Sequence, residues 1–152
     1  MTKKIETWKI KRSEIVADCK IFNVRRDYSV RDSDGAEFPF YCIENPDWVN
    51  VIPITKEGEV VLIEQYRHGI EEITLEIPGG MVDGGEDTKV AAVRELIEET
   101  GYVPQETILL GKCHPNPAIQ QVTGDNTARN VLKISAGRDS VTFEVNAVRV
   151  GA

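Results

Sequence analysis

The sequence has few of the residues on which disulfide-rich, zinc-binding or membrane proteins depend. Its three cysteines are an odd number without a CxxC spacing, so we expect free thiols in a reducing compartment. The two histidines, His68 and His114, have no partner at the spacing of zinc ligands. No apolar run approaches the roughly 20 residues of a membrane span, and the N-terminus lacks the apolar segment of a secretory signal. We therefore expect a cytoplasmic protein that does not bind membranes.

Positive charge is also in short supply, because the formal net charge is −7 over 152 residues. This balance argues against a protein that holds nucleic-acid backbones through bulk electrostatics. The rest of the composition, 41% hydrophobic and 28% charged, is that of an ordinary soluble globular protein. The length allows a domain with a substantial core. We expect no nucleic-acid partner.

The pattern of strands and helices predicts an α+β fold with a mixed sheet, because strands lie on both sides of one central helix. Residues 5–44 are typical of a small antiparallel sheet with a hairpin turn at residues 32–35. This sheet has too few large apolar residues to stand alone. We therefore assign residues 1–45 to an N-terminal sheet that packs on the main domain or on a second subunit, and residues 46–152 to the main domain.

Residues 80–102, GMVDGGEDTKVAAVRELIEETGY, are the most distinctive stretch. A glycine-rich loop leads into a helix that we predict from about Asp87 to Thr100. Asp87 or Thr88 is the expected N-cap, and Gly101 fits the position just past the C-terminal end. At 100° per residue, the helix carries carboxylates on one arc and an apolar face on the opposite arc, which we expect to dock on the core. The carboxylates are Glu95, Glu98 and Glu99, and the apolar face is Val90, Val93 and Ile97, with Leu96 at its edge.

Carboxylates three or four residues apart destabilise a helix by a few tenths of a kcal/mol per pair. A solvated acidic face is the usual explanation of an isolated run of this kind. Hard cations such as Mg²⁺ prefer oxygen ligands, however, and would neutralise the cluster. Glu95 and Glu99 are one turn apart, so their carboxylates can converge on one ion.

The spacing of this stretch resembles the signature of the Nudix hydrolases. Gly80 is followed by five residues and Glu86, and then by seven residues and Arg94-Glu95-Leu96. Glu98-Glu99, Thr100 and Gly101 complete the pattern, and Tyr102 stands where an aliphatic residue is usual. The resemblance implies an α/β/α sandwich and Mg²⁺-dependent hydrolysis of a nucleoside diphosphate linked to another group. It also implies a further helix after the last strands, so we expect a domain that is short at its C-terminus, because the chain ends at Ala152.

The resemblance also implies the roles of individual residues. Glu95 and Glu99 are the main ligands of Mg²⁺, which Mn²⁺ can replace, and Glu98 and the Gly79 carbonyl assist them. Glu86 and Arg94 support the loop and helix, often by pairing with each other. The general base of the family comes from the helix or from a downstream loop, which leaves several candidates open. They are Glu98, Glu99, Glu144 and Asp139, with Asp125 more remote.

Three further stretches resemble the ADP-ribose pyrophosphatase and nucleoside-diphosphate-sugar branch of the family. They are Glu64–Gly69, Leu75–Gly80 and Pro117, which lies sixteen residues past Gly101. In this branch Arg67 would hold the pyrophosphate; alternatively it is a structural arginine paired to Glu64 or Glu76. Glu76 either faces the metals, as a substrate-site residue, or points outward from an alternating strand.

Two departures and the N-terminal sheet bear on the substrate. Gly79 stands where alanine is common, and residues 118–121, AIQQ, stand where a glutamate is typical. The resemblance implies a homodimer through the N-terminal sheet, where an aromatic residue could stack on the nucleobase. We take Tyr28 as the substrate-binding candidate; Phe22 and Phe40 are alternatives, and all three also suit a core.

Together these features predict hydrolysis of ADP-ribose or a related nucleoside diphosphate sugar to a nucleoside monophosphate and a sugar phosphate. Two alternatives stay open. One is a nucleoside triphosphate pyrophosphohydrolase, and the strands that precede the signature argue against it. The other is a non-enzymatic nucleotide sensor, against which the intact signature speaks.

Overall fold

The structure is a computed structural model that describes residues 5–122, 129–135 and 147–150. The chain forms two compact units. One comprises residues 1–46 and 114–127, and the other comprises residues 47–113 and 128–152. Residues 114–122 therefore group with the N-terminal sheet.

Eleven strands and one helix lie in the described residues. In chain order they are β1 Trp8–Asp18, β2 Asn23–Arg31, β3 Glu37–Asn45, β4 Trp48–Ile54, β5 Val60–Arg67, β6 Glu72–Glu76, β7 Gly79–Met81, α1 Thr88–Thr100, β8 Glu106–Cys113, β9 Gln120–Val122, β10 Arg129–Ser135 and β11 Ala147–Val150. None of the helical segments that the structure describes has the length and apolar character needed to cross a membrane.

The first unit is a four-stranded sheet in the order β1-β2-β3-β9. β1, β2 and β3 are antiparallel, and β9 runs parallel to β3. The turn between β2 and β3 includes Gly35 at φ 73°, in the left-handed region that favours glycine. The predicted hairpin is confirmed. β9 was not predicted, because its segment is polar and follows two prolines.

The second unit is built on a sheet in the order β11-β5-β4-β10-β8, with β6 beside β5 and β7 beside β4. β10 is parallel to β4 and β11 is parallel to β5, while the other pairs are antiparallel. The predicted mixed sheet is therefore confirmed. β7 was missed, since its sequence is little more than two glycines. The sequence also predicts a last strand at residues 141–150, which falls partly outside the described residues, and β11 covers its final four positions.

The helix α1 has the limits that its sequence predicts. Asp87 is the N-cap, and its side chain accepts hydrogen bonds from the backbone N–H groups of Lys89 and Val90. Gly101 has φ 73°, and its N–H donates to the carbonyl of Ile97. Both caps satisfy backbone groups that a helix leaves unpaired at its ends.

The predicted apolar face of α1 was wrong except at its edge, where Leu96 is buried. Val90 is 58% exposed and Ile97 is 40% exposed, whereas Ala91, Ala92 and Leu96 are buried. The buried residues of α1 form a core with Val49, Val51 and Val82. Small alanines let the helix approach the sheet closely, and this advantage outweighs the larger apolar surface of the valines.

This correction also moves the carboxylates. At 100° per residue, Ala92, Glu95, Leu96 and Glu99 fall within one arc, so Glu95 and Glu99 border the buried side of α1 rather than facing away from it. Glu98 lies further round the helix, and its side chain is 59% exposed. The helix therefore brings two of its three clustered glutamates against the sheet.

Candidate active site

Glu99 is held by two hydrogen bonds from the sheet side of the helix. The side-chain amide Nε2 of Gln65 donates to its Oε1 at 2.5 Å, and the backbone N–H of Gly79 donates to its Oε2 at 2.9 Å. Burial raises the pKa of Glu99, the two hydrogen bonds oppose that rise, and the like charge of Glu95 adds to it. The carboxylate is thus fixed in direction but not neutralised by a hydrogen-bonded cation.

Glu95 lies against the glycine turn that precedes the helix. A Cβ added to Gly80 would be 2.2 Å from both Cδ and Oε1 of Glu95, so any side chain there would fill the space that the carboxylate occupies. A Cβ added to Gly79 would be 2.3 Å from the carbonyl oxygen of Val49. The two glycines have different tasks: Gly79 allows β7 to lie beside β4, and Gly80 admits the Glu95 carboxylate.

Arg94 joins the glycine-rich loop to the helix. Its Nε and Nη2 donate to the Glu86 carboxylate at 3.1 and 2.9 Å, and Nη2 also donates to the carbonyl of Met81 at 3.0 Å. Its Nη1 donates to Glu95 at 2.8 Å and to Glu98 at 3.3 Å. These bonds raise the pKa of Arg94 and lower the pKa of Glu86. The arrangement fixes the Glu95 side chain beside Gly80.

Arg67 and Glu76 form a pair on the hairpin of β5 and β6. Arg67 donates from Nε and Nη2 to the two carboxylate oxygens of Glu76 at 2.8 and 2.5 Å, and Thr74 also hydrogen-bonds Glu76. The hydrogen bond from Arg67 is the main cause that lowers the pKa of Glu76 to about 2. Of the two pairings that the sequence left open, the structure shows the one with Glu76. The Arg67 side chain keeps 42% of its surface exposed.

Gln65 was not predicted as a site residue. It lies two residues before Arg67 in β5, so the two side chains share one face of the strand. Its register partner is Thr74. The signal was the alternation of polar residues 65 and 67 after an apolar run, but the contact with Glu99 depends on the packing of α1 on the sheet.

The remaining predicted residues lie in the first unit or outside the described residues. Tyr28 is in the first unit, where the Arg12 guanidinium carbon lies 3.3 Å from its ring centroid and its hydroxyl donates to Glu14 at 3.3 Å. The candidate bases Glu144, Asp139 and Asp125 lie outside the described residues.

The carboxylate oxygens at the glycine turn suit a hard divalent cation as ligands. Mg²⁺ is commonly held by one or two carboxylates and keeps several waters, which matches the two carboxylates, Glu95 and Glu99, that lie against the glycine turn. Within residues 5–122 and the two later described segments, no three acidic, histidine or cysteine side chains form a closed metal cage. Glu98 accepts a hydrogen bond at 3.3 Å from Arg94 Nη1, the same atom that donates to Glu95. The residues present therefore fit an open, partly hydrated site.

Known proteins are similar to this chain in both sequence and fold. The family model described as the NUDIX domain matches residues 45–146. The chain is 33% identical over 75 residues to ADP-ribose pyrophosphatase of Bacillus subtilis, covering 49% of this chain and 40% of that protein. It is 29% identical over 120 residues to ADP compounds hydrolase NudE of Escherichia coli, covering 78% and 63%.

A further relative is the methanol dehydrogenase activator of Bacillus methanolicus, which is 50% identical over 60 residues, or 40% of this chain and 32% of that protein. Among solved structures, an ADP compounds hydrolase superposes with a TM-score of 0.72 and 26% identity, covering 88% of this chain and 69% of that one. The matched region spans between 32% and 40% of the length of three of the curated relatives.

Proposed function

Because the chain belongs to the Nudix family, whose domain model covers residues 45–146, we propose that it hydrolyses the pyrophosphate bond of ADP-ribose or a related nucleoside diphosphate sugar. The products are a nucleoside monophosphate and a sugar phosphate, and the cofactor is Mg²⁺ or, in its place, Mn²⁺. The observation that carries the proposal is the pair of glutamates, Glu95 and Glu99, that the helix aims at the glycine turn.

The metal ligands in this proposal are Glu95, Glu99 and the Gly79 carbonyl, with Glu98 assisting. When bound, the ion supplies neutralisation of the charge that develops on the phosphoryl oxygens. Arg94 keeps Glu95 in place through its 2.8 Å hydrogen bond, and Glu86 keeps Arg94 in place from the loop. The supporting pair thus acts on the reaction through the ligand that it orients.

Arg67 is the residue that we assign to the pyrophosphate. Its guanidinium is partly exposed and already oriented by the bidentate contact with Glu76, so little side-chain entropy is lost when it binds an anion. Glu76 belongs to the substrate site as the carboxylate that fixes this guanidinium. Its own charge also limits how strongly Arg67 attracts a phosphate, which favours reversible binding.

For the general base, Glu98 is the helix candidate best exposed to water, with 59% of its side chain accessible against 14% for Glu95. Glu99 has two donors on its oxygens and suits a ligand role better. Glu144 is the third catalytic candidate. Replacing each of the three by glutamine and measuring the dependence of the rate on pH separates the base from the ligands.

An ADP-containing substrate is supported by the relatives, two of which are described as an ADP-ribose pyrophosphatase and an ADP compounds hydrolase.

We place the enzyme in the cytoplasm as a homodimer joined through the first unit. Its sheet exposes an aromatic cluster of Trp8, Phe38 and Phe40, with ring centroids 5.7 and 5.1 Å from Trp8. Tyr28 stays the candidate for stacking on the nucleobase of the substrate. A monomer in sedimentation at micromolar concentration would contradict the dimer.

The test of the reaction is incubation with ADP-ribose, GDP-mannose and NADH in the presence of Mg²⁺, followed by chromatography of the products. Release of AMP or GMP supports the proposal, and the absence of both with every substrate refutes it. Inorganic pyrophosphate from deoxynucleoside triphosphates, with the sugar conjugates intact, would support the triphosphate alternative. Nucleotide binding that is independent of Mg²⁺ and without turnover would support the sensor alternative.

The variant Glu99→Gln tests the metal site directly. We expect Mg²⁺ affinity and rate both to collapse, because the amide lacks the ligand charge, while the fold is retained. Glu57→Gln, at an exposed turn residue, is the matched control and should behave as the unchanged protein. Normal turnover of Glu99→Gln would remove Glu99 from the metal site.

A further inference from the structure

We infer that Gln65 is a positioning residue for the metal site: its side-chain amide sets the direction of the Glu99 carboxylate and so the affinity for the divalent cation. The inference rests on the proposed function, since it takes Glu99 as a metal ligand. It goes beyond the helix signature, because Gln65 lies in β5, 34 residues before Glu99.

The first step is the chemistry of the two donors. A carboxylate has about four lone-pair positions, and Glu99 uses two of them for Gln65 Nε2 and the Gly79 N–H. Within the described residues, these are the two hydrogen-bond donors to Glu99, and both are uncharged. They orient the carboxylate without supplying positive charge, so the remaining lone pairs and the negative charge are available to a cation.

The comparison with Glu95 shows what is special in this arrangement. Glu95 is oriented by a cation, Arg94, at 2.8 Å. An arginine on Glu99 would offset the charge of that carboxylate and compete with a divalent ion. A glutamine fixes the geometry as an arginine would, yet it adds no positive charge beside Glu99.

The second step is how the strand delivers Gln65. Adjacent side chains of a strand point to opposite faces, so Gln65 and Arg67 point together while Tyr66 points away and is 53% exposed. Register places Gln65 opposite Thr74 in β6. One face of this hairpin therefore carries both the donor to Glu99 and the arginine assigned to the pyrophosphate, which links the geometry of the metal ligand to that of the substrate contact.

The experiment measures Mn²⁺ binding by electron paramagnetic resonance without substrate, and the Mg²⁺ concentration at half-maximal rate with ADP-ribose. Removing a hydrogen-bond partner of a metal ligand typically costs 10–100-fold in affinity. For Gln65→Met we expect both midpoints to rise by about 10-fold or more, with much of the rate restored at saturating Mg²⁺. A purely structural role would lower the urea midpoint and leave the metal midpoints where they were.

Tyr66→Met is the matched control, since it introduces the same residue one position along on the opposite face and should leave both metal midpoints unchanged. Should Gln65→Met fail to fold, Gln65→Asn serves, because it keeps the amide but is one methylene too short to reach Glu99. Unchanged Mn²⁺ binding in the folded Gln65 variant overturns the inference. If Glu99→Gln also binds Mn²⁺ normally, the proposed metal site fails as well, so the two failures are distinguishable.

Discussion

Adding a single methyl group at Gly80 tests the active-site geometry without removing any charge. In Gly80→Ala the new Cβ would be 2.2 Å from Cδ of Glu95, whereas unbonded carbons rest about 3.5–4.0 Å apart. The carboxylate must therefore move by about 1.3 Å or more. It is the far end of a flexible side chain, so it can swing aside, and the hydrogen bond from Arg94 at 2.8 Å is the contact that suffers.

The expected result is a large loss of activity with a small loss of stability. A misplacement of about 1 Å can cost on the order of 100-fold in rate, so kcat/KM for ADP-ribose should fall by about that factor. The free energy of unfolding should fall by about 1 kcal/mol, the usual net value of one hydrogen bond. Steady-state kinetics and urea unfolding on the same preparation measure the two quantities.

Two neighbouring glycines provide matched comparisons. In Gly79→Ala the Cβ meets backbone, at 2.3 Å from the Val49 carbonyl oxygen and 3.1 Å from the Asn50 Cα. Backbone cannot swing away, so β7 must separate from β4, and we expect a loss of about 1–3 kcal/mol in stability. Gly84→Ala meets nothing within 4 Å and should change neither quantity. A fully active Gly80→Ala, or one clearly less stable than Gly79→Ala, would refute the reasoning.

The helix cap and the hairpin ion pair give two more predictions. Asp87→Ala removes the acceptor of the Lys89 and Val90 N–H groups and should lower the free energy of unfolding by about 1 kcal/mol, with Asp87→Asn restoring most of it; equal urea midpoints would contradict this. The pKa of Glu76 is lowered from 4.5 to about 2 by Arg67, so the pair stabilises the fold above pH 4.5 and this contribution is lost as the pH falls through about 2. Because the pair is partly exposed, we expect under about 1 kcal/mol, seen as a steeper acid loss of stability than in Glu76→Gln; parallel curves would contradict it.

The sequence predicted the limits of α1 but not its buried face, and the reason is physical. Caps are local: Asp87 needs only the N–H groups two and three residues ahead, and Gly101 needs only a left-handed backbone. Burial is not local, because it depends on how closely the helix can approach the sheet. Ala92 is completely buried while the larger Val90 is exposed, so close packing of the helix on the sheet outweighs the burial of a larger apolar side chain.

The same distinction explains which site residues could be read from the sequence. The spacing of Glu95 and Glu99 places them one turn apart whatever the helix packs against, so a sequence pattern suffices. Gln65 reaches Glu99 because β5, the glycine turn and the helix meet in three dimensions. No periodicity within the helix contains that information.

The close approach of the helix also gives the alanines a functional consequence. Ala92 shares its side of α1 with Glu95 and Glu99, and a larger residue there would lift that side from the sheet. The carboxylates would then withdraw from both the Gly79 N–H and the space at Gly80. The small residues of the helix and the two glycines therefore serve the same purpose. Both leave room for Glu95 and Glu99 to lie close to the backbone of the glycine turn. A helix with a larger apolar core face would be better packed by area, but it would hold Glu99 too far from the turn to accept the Gly79 N–H and Glu95 too far to lie against Gly80.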